Sequence, residues 1–200
     1  MTTPPLLYYI RHGETDWNVA WRLQGQRDIP INARGRVQAS RCGEILRDLL
    51  ARDAIDPAQL DFVSSPLGRA RETMELLRTA AGLEARGYRE DARLAEISFG
   101  RWEGFTIAEL RQRWPDAVAE RERDKWGFAP PEAESYATMS VRIRGWYDAL
   151  TRDTVAVAHG GTLRGLVVQL GIAPPAEAPF LDIAQGVVYV IRPGDMSRYA

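Results

Sequence analysis

Several residue types are scarce in this 200-residue chain, and each scarcity narrows its reading. Cys42 is the only cysteine, which excludes an internal disulfide framework and a cysteine-rich metal site. The two histidines, His12 and His159, with one thiol cannot make a usual zinc centre, so no metal and no cofactor are expected. No apolar run approaches the roughly 20 residues that cross a bilayer. Met1-Thr2-Thr3-Pro4-Pro5 lacks the basic and apolar regions of a signal peptide. Both readings point to a cytoplasmic protein with no membrane partner. A net charge of -1 lacks the basic excess of a nucleic-acid binder. Lysine is nearly missing: Lys125 is the only one, and every other basic residue is arginine. A single arginine is therefore weak evidence for a site, whereas a histidine is strong evidence. What remains, 45% hydrophobic and 26% charged residues, suits one soluble domain with a sizeable core.

The two histidines share a local setting. His12 follows the apolar run Leu6-Leu7-Tyr8-Tyr9-Ile10-Arg11 and precedes Gly13; His159 follows Thr154-Val155-Ala156-Val157-Ala158 and precedes Gly160-Gly161. Each run reads as a buried strand of a parallel sheet. In open α/β sheets, ligands bind beyond the carboxyl ends of the strands. Two strands of one parallel sheet would bring both imidazoles out on the same edge, as a nucleophile and a partner.

Strand and helix signals alternate along the chain, with no internal repeat. Asn32 is the expected N-cap of a helix running to about Asp53, with Val37, Ile45, Leu46, Leu49 and Leu50 as its apolar stripe. Asp61 to Ser64 reads as a strand. Ser65 is the expected cap of a helix with Pro66 at its first position and Ala70, Met74 and Leu77 facing inward. Thr106 and Glu109 suggest a capping box, and Glu120 to Lys125 a solvated helical face. Ser135 starts a helix to about Leu150, Gly161 one to Leu170, and Val187 to Ile191 is the expected last strand. The fold class is α/β: three layers, with helices on both faces of a mostly parallel sheet. The whole of 1–200 reads as one domain with a lid-like insertion at about 105–131. Trp114, Trp126 and Phe128 in that segment suit equally a lid over a site and a satellite helix with its aromatics packed inward.

Four blocks carry the chemistry: Arg11-His12-Gly13-Glu14-Thr15 with Asn18; Ser64-Ser65 with Arg69, Ala70 and Thr73; Leu94 to Gly104 around Glu96; and His159-Gly160-Gly161. In this order they resemble the histidine phosphatase superfamily, the phosphoglycerate mutase-like proteins, over nearly the whole chain. The pattern is most similar to broad-specificity and alpha-ribazole phosphatases. The resemblance implies a metal-independent phosphomonoester hydrolase acting through a phosphohistidine on a small phosphorylated metabolite. It implies His12 as nucleophile, Glu96 as general acid and base, and His159 as the second imidazole on the phosphoryl group. Arg11 and Arg69 would clamp the phosphoryl oxygens, and Asn18, Gln24 and Gly160 would contact the same group, with Thr162 nearby.

The residue types fit that chemistry. A transferring phosphoryl group spreads charge over three oxygens, so catalysis needs positioning and cationic donors. Arginine meets phosphate bidentately, and a neutral imidazole attacks phosphorus. His12 is expected neutral and His159 protonated, giving a bell-shaped pH profile. A bound dianion should favour the protonated form of Glu96. Glu14 and Glu103 are competing carboxylates. Arg71 and Arg101 read as surface residues, and Cys42 as a packed, inert thiol. Pro131-Glu132-Ala133-Glu134-Ser135 departs from the Pro-x-Gly-Glu-Ser of many relatives, placing alanine where they have glycine. The other readings are mutase-type phosphoryl transfer and a non-catalytic phospholigand-binding protein. A small phosphate ester is the expected partner, and an exposed strand edge would permit a homodimer.

Overall fold

A computed structural model describes residues 4–200. Met1 to Thr3, part of the stretch read for targeting signals, lie outside the described residues. The strands are β1 (Leu7–Arg11), β2 (Asp61–Ser64), β3 (Arg89–Glu90), β4 (Thr154–Ala158), β5 (Val188–Arg192) and β6 (Asp195–Tyr199). The helices are α1 (Asp16–Val19), α2 (Ala33–Arg52), α3 (Gly68–Ala80), α4 (Ile107–Arg113), α5 (Pro115–Arg123), α6 (Tyr136–Tyr147) and α7 (Gly160–Gln169). One sheet has the order β3-β2-β4-β1-β5-β6. Its first four strands run parallel; β5 pairs antiparallel with β1, and β6 pairs antiparallel with β5. This is the expected α/β architecture, with a mixed rather than wholly parallel sheet.

The period-two alternation of the strands builds three layers. On β1, Leu7 and Tyr9 join Ala156 and Ala158 of β4 against α6 and α7, with Trp146, Met139 and Leu166 in the same cluster. Tyr8 and Ile10 join Val155 and Val157 on the other face against α2 and α3, with Leu46, Met74 and Leu77. Each strand is thus apolar on both sides, which is why it reads as an unbroken apolar run. Burying one such side chain contributes about 1.5–3 kcal/mol.

Helix α2 starts at the Asn32 cap, whose side chain accepts from the Gly35 amide. Val37 is a correction: it is 71% exposed. Nine residues at 100° each put it opposite Leu46, so the buried stripe runs instead through Gly35, Ala39 and Cys42 to Leu46. Cys42 is packed, and burial pushes its thiol up to about 12. The expected cap at Ser65 is a second correction. Helix α3 begins only at Gly68, with Leu67 at the cap position. Its first amides, Gly68 and Arg69, donate to the Asp28 carboxylate at 2.7 and 3.3 Å, a cap supplied from 40 residues away. The end of the chain departs too. Arg192-Pro193-Gly194 does not close the sheet but turns it into β6, an edge strand pairing antiparallel with β5.

The segment after Phe105 forms α4 and α5, and the Thr106–Glu109 capping box is present. Trp102, Leu110 and Val118 make a separate small core, packed by Phe105, Trp114 and Phe128. Trp114 and Phe128 turn inward onto this small core, whereas Trp126 packs against the main core and stacks on Tyr136, and α4 and α5 also supply part of the wall of the main cavity. The positive φ in the turn before α6 falls at Glu132 (62°), not at Ala133. Ala133 consequently avoids the left-handed region that glycine would serve there.

Candidate active site

Register places both histidines together. Arg11 pairs with Ala158 across β1 and β4, so His12 and His159 are the next residues on neighbouring parallel strands. The His12 amide donates to Ala158 O at 2.9 Å, and the Ser65 amide, just past β2, donates to Val157 O at 2.9 Å. Three adjacent strands thus deliver His12, His159 and Ser65 to one edge. The two imidazole centroids are 5.1 Å apart.

The loop after β1 is locked from below. Gly13 lies so close to the Gly35 carbonyl that any Cβ would collide with backbone. Its amide donates to Thr73 Oγ1 at 3.0 Å, and the Glu14 amide donates to Gln38 Oε1 at 2.9 Å. His12 Nδ1 lies 2.8 Å from Gly13 O. A carbonyl only accepts, so Nδ1 carries the hydrogen and the lone pair is on Nε2. Burial, then Arg69 and Arg11, hold this imidazole well below its ordinary value near 6.5. It is therefore neutral.

His159 is wholly buried beside His12 and is not itself among the residues that line the cavity. Its Nε2 meets Ser65 Oγ at 2.7 Å, and its Nδ1 is buried without a partner. Its main chain is tied down by Tyr9, whose hydroxyl donates to His159 O at 2.8 Å, and by Thr162, whose Oγ1 donates to the same oxygen at 3.0 Å. Thr162 thus supports the second histidine and does not line the cavity. The expectation of a protonated His159 is corrected: burial, then the fields of Arg69 and His12, hold it well below 6.5 as well.

Arg69 is fully buried, and two of its nitrogens donate to Arg27 O at 2.6 Å and Gly25 O at 2.7 Å. Arg11 donates to Ile183 O at 2.8 Å. In both, Nε is buried without a partner, and both side chains line the cavity. The Glu96 carboxylate accepts from the Ile97 amide at 2.9 Å and from the Gly161 amide at 3.1 Å. A Cβ on Gly161 would strike that carboxylate, so glycine is what admits Glu96 to this edge. Gly161, not Gly160, is the glycine of the pair on the cavity wall.

The cavity has a volume of about 650 Å³ and is bounded by Arg11, His12, Asn18, Gln24, Arg69 and Glu96 among others. Asn18 Oδ1 accepts from the Thr15 amide at 3.0 Å and from Gln185 Nε2 at 3.0 Å. Gln24 is buried, its Oε1 unpartnered. Of the competing carboxylates, Glu103 accepts from the Gln26 and Phe99 amides and holds the loop. Glu14 lies 3.5 Å from Arg34 at the rim. Arg71 and Arg101 pair with Glu90 and Glu132 outside the cavity. Sequence reasoning missed Gln185, which donates to His12 O at 3.1 Å from far along the chain and carries no local signal. It also misplaced Arg121 and Lys125. Read as a solvated face, both turn into the cavity.

Two neutral, buried imidazoles give a pH-dependent stability with a defined sign. Below about 6.5 the unfolded chain binds protons that the folded chain refuses, so stability falls on acidification, by about 1.4 kcal/mol per pH unit for each imidazole. Urea denaturation between pH 6.5 and 5 should show this slope, and replacing both histidines by asparagine should flatten it. A flat profile in the unaltered protein would show that the imidazoles titrate normally.

A profile of the histidine phosphatase superfamily (branch 1) matches residues 7–198. A glucosyl-3-phosphoglycerate phosphatase of Mycobacterium tuberculosis is 35% identical over 189 residues, covering 88% of this chain and 79% of its own. A 2,3-bisphosphoglycerate-dependent phosphoglycerate mutase of Methylobacterium radiotolerans is 32% identical over 194 residues, covering 94% of this chain and 89% of its own. The native structure of mycobacterial glucosyl-3-phosphoglycerate phosphatase superposes with a TM-score of 0.77 at 32% identity, covering 93% of this chain and 89% of its own. A candidate alpha-ribazole-5'-P phosphatase of Escherichia coli shares the fold at 23% identity, with a TM-score of 0.79 and coverage of 98% and 94%.

Proposed function

The chain belongs to the histidine phosphatase superfamily (branch 1), and from that premise we propose that it hydrolyses a small phosphate monoester, with His12 as the residue that carries the phosphoryl group. One observation supports the assignment most: three buried nitrogens, Arg11 Nε, Arg69 Nε and His159 Nδ1, have no hydrogen-bond partner, and they belong to the ring 5.1 Å from that of His12 and to the two guanidinium groups whose fields act on it. Orphaned buried donors are costly, and the equatorial oxygens of a phosphoryl group would satisfy them.

The steps follow from this arrangement. His12 Nε2 attacks phosphorus in line; the N–P bond forms as the ester P–O bond breaks. Glu96, protonated, gives its proton to the departing alkoxide. Water then attacks phosphorus on the exposed side, Glu96 takes the proton, and the N–P bond breaks to release phosphate. Arg11, Arg69 and His159 hold the oxygens throughout; one such donor contributes roughly 10²–10³ in rate. Ser65 fixes the His159 ring, with its hydroxyl donating to Nε2 so that Nδ1–H faces the anion.

The α4–α5 unit is proposed to act as a wall over the leaving-group side, within a single domain. The match to a glucosyl-3-phosphoglycerate phosphatase favours a phosphorylated metabolite as substrate. The test is turnover of a generic aryl phosphate in excess chelator. Release of inorganic phosphate, undiminished by the chelator, is the expected result. Phosphate transfer only between hydroxyls, dependent on a bisphosphorylated primer, would instead establish a mutase.

A further inference from the structure

Glu96 stands in a stretch with neither helix nor strand, residues 95–99, so no ladder of backbone hydrogen bonds sets its place. Leu94 and Ile97, on either side of it, are buried in the core that α6 and α7 share. Their burial holds the stretch down, but it is non-directional and aims no carboxylate. The directional contacts come from two residues far along the chain: Glu134, just before the Ser135 cap of α6, and Arg142, on α6 itself.

Arg142 Nη1 donates to Arg93 O at 2.6 Å and to Ala95 O at 2.9 Å. Ala95 O belongs to the planar peptide that joins Ala95 to Glu96, so this bond fixes the plane from which Glu96 departs. On the far side of Glu96, the Ser98 amide donates to Glu134 Oε2 at 3.0 Å, and the Glu134 amide donates to Ser98 O at 3.1 Å. The two gripping residues are locked to each other. Arg142 Nε and Nη2 donate to Glu134 Oε1 and Oε2 at 3.1 and 2.9 Å, with the side chains 23% and 27% exposed. A guanidinium is suited to this, because one planar fork serves two carboxylate oxygens and two carbonyls together.

Neither Arg142 nor Glu134 lines the cavity, so neither meets the phosphoryl group directly. What they hold is the backbone on both sides of Glu96, whose carboxylate is tethered only to the Ile97 and Gly161 amides. A displacement of about 1 Å at a reacting group can cost roughly 10²-fold in rate. Arg101 and Glu132 form another pair close by in sequence, but it is 66% and 67% exposed and grips no backbone of residues 93–98. Resting on the reading of Glu96 as proton donor, we propose that the Arg142–Glu134 pair is a positioning clasp for that acid. It acts on the step that expels the alcohol and not on the binding of the phosphoryl group.

Two esters of similar shape separate these steps: 4-nitrobenzyl phosphate, whose alkoxide needs a proton, and 4-nitrophenyl phosphate, whose phenolate does not. In Arg142→Met, kcat/KM for the benzyl ester should fall at least about tenfold, and that for the phenyl ester less than about threefold. Glu134→Gln keeps the shape of the clasp and the arginine charge whose field reaches His159. It should move the ratio of the two constants in the same direction by at least about threefold, and it carries the test alone if the arginine variant does not fold. Arg101→Gln should leave the ratio as it is. Added to Glu96→Gln, Arg142→Met should change neither constant by more than about threefold, because the group it places is gone. Parallel losses for both esters overturn the proposal. So does a ratio that Glu134→Gln leaves in place, or a loss that multiplies with that of Glu96→Gln. No turnover of either ester by the unaltered protein overturns the hydrolase reading and this one with it.

Discussion

Replacing His12 by alanine should lower kcat for ester hydrolysis by about 10⁴-fold or more, because the enzyme loses the atom that forms the covalent intermediate. The side chain is buried and its ring makes one hydrogen bond, to Gly13 O, so the cost to stability is modest beside the cost to rate. Arg11, Arg69 and His159 would still bind the dianion, so inorganic phosphate should compete at a concentration close to that for the unaltered protein. The comparison separates a chemical role from a binding role. A variant retaining more than about a hundredth of the rate would remove His12 as nucleophile.

Glu96→Gln should divide substrates by leaving group. For an alkyl phosphate, whose alkoxide must be protonated, kcat/KM should drop about 10²–10⁴-fold. For a nitrophenyl phosphate, whose phenolate departs without a proton, it should fall less than about tenfold. Hydrolysis of the phosphoenzyme still lacks its base in that variant. A burst of nitrophenolate matching the enzyme concentration should therefore precede a slow steady rate. Glutamine fills the same space but keeps one acceptor oxygen for the Ile97 and Gly161 amides and sets its NH2 against the other, so a small fall in melting temperature should accompany the kinetic change. Equal losses for both esters would assign proton transfer to another group.

Much of this site was legible in the sequence because its key residues follow strands. A parallel pair with matched ends must place the next residues side by side, and Arg11 opposite Ala158 does that for His12 and His159. The blocks around Arg11, Arg69 and Glu96 supplied the other cavity-lining groups. What was not legible depends on distant contacts. Ser65 reads as a local cap, but the cap of α3 comes from Asp28, and Ser65 is left to hold His159. Gln185 reaches His12 O from 173 residues away. Arg121 and Lys125 sit in a charged run whose pattern cannot tell which of its members will face a cavity. The charge state of His159 was misread for the same reason: the Arg69 field and full burial exist only once the chain is folded.

The central claim is a covalent one, and rapid quenching tests it most directly. Enzyme mixed with an ester labelled in its phosphoryl group should, within one turnover, carry label that is stable to alkali and labile to acid, as a phosphoramidate is. The label should map to the peptide containing Arg11-His12-Gly13. Turnover with no trapped label at any time, or label found on another residue, would contradict the account.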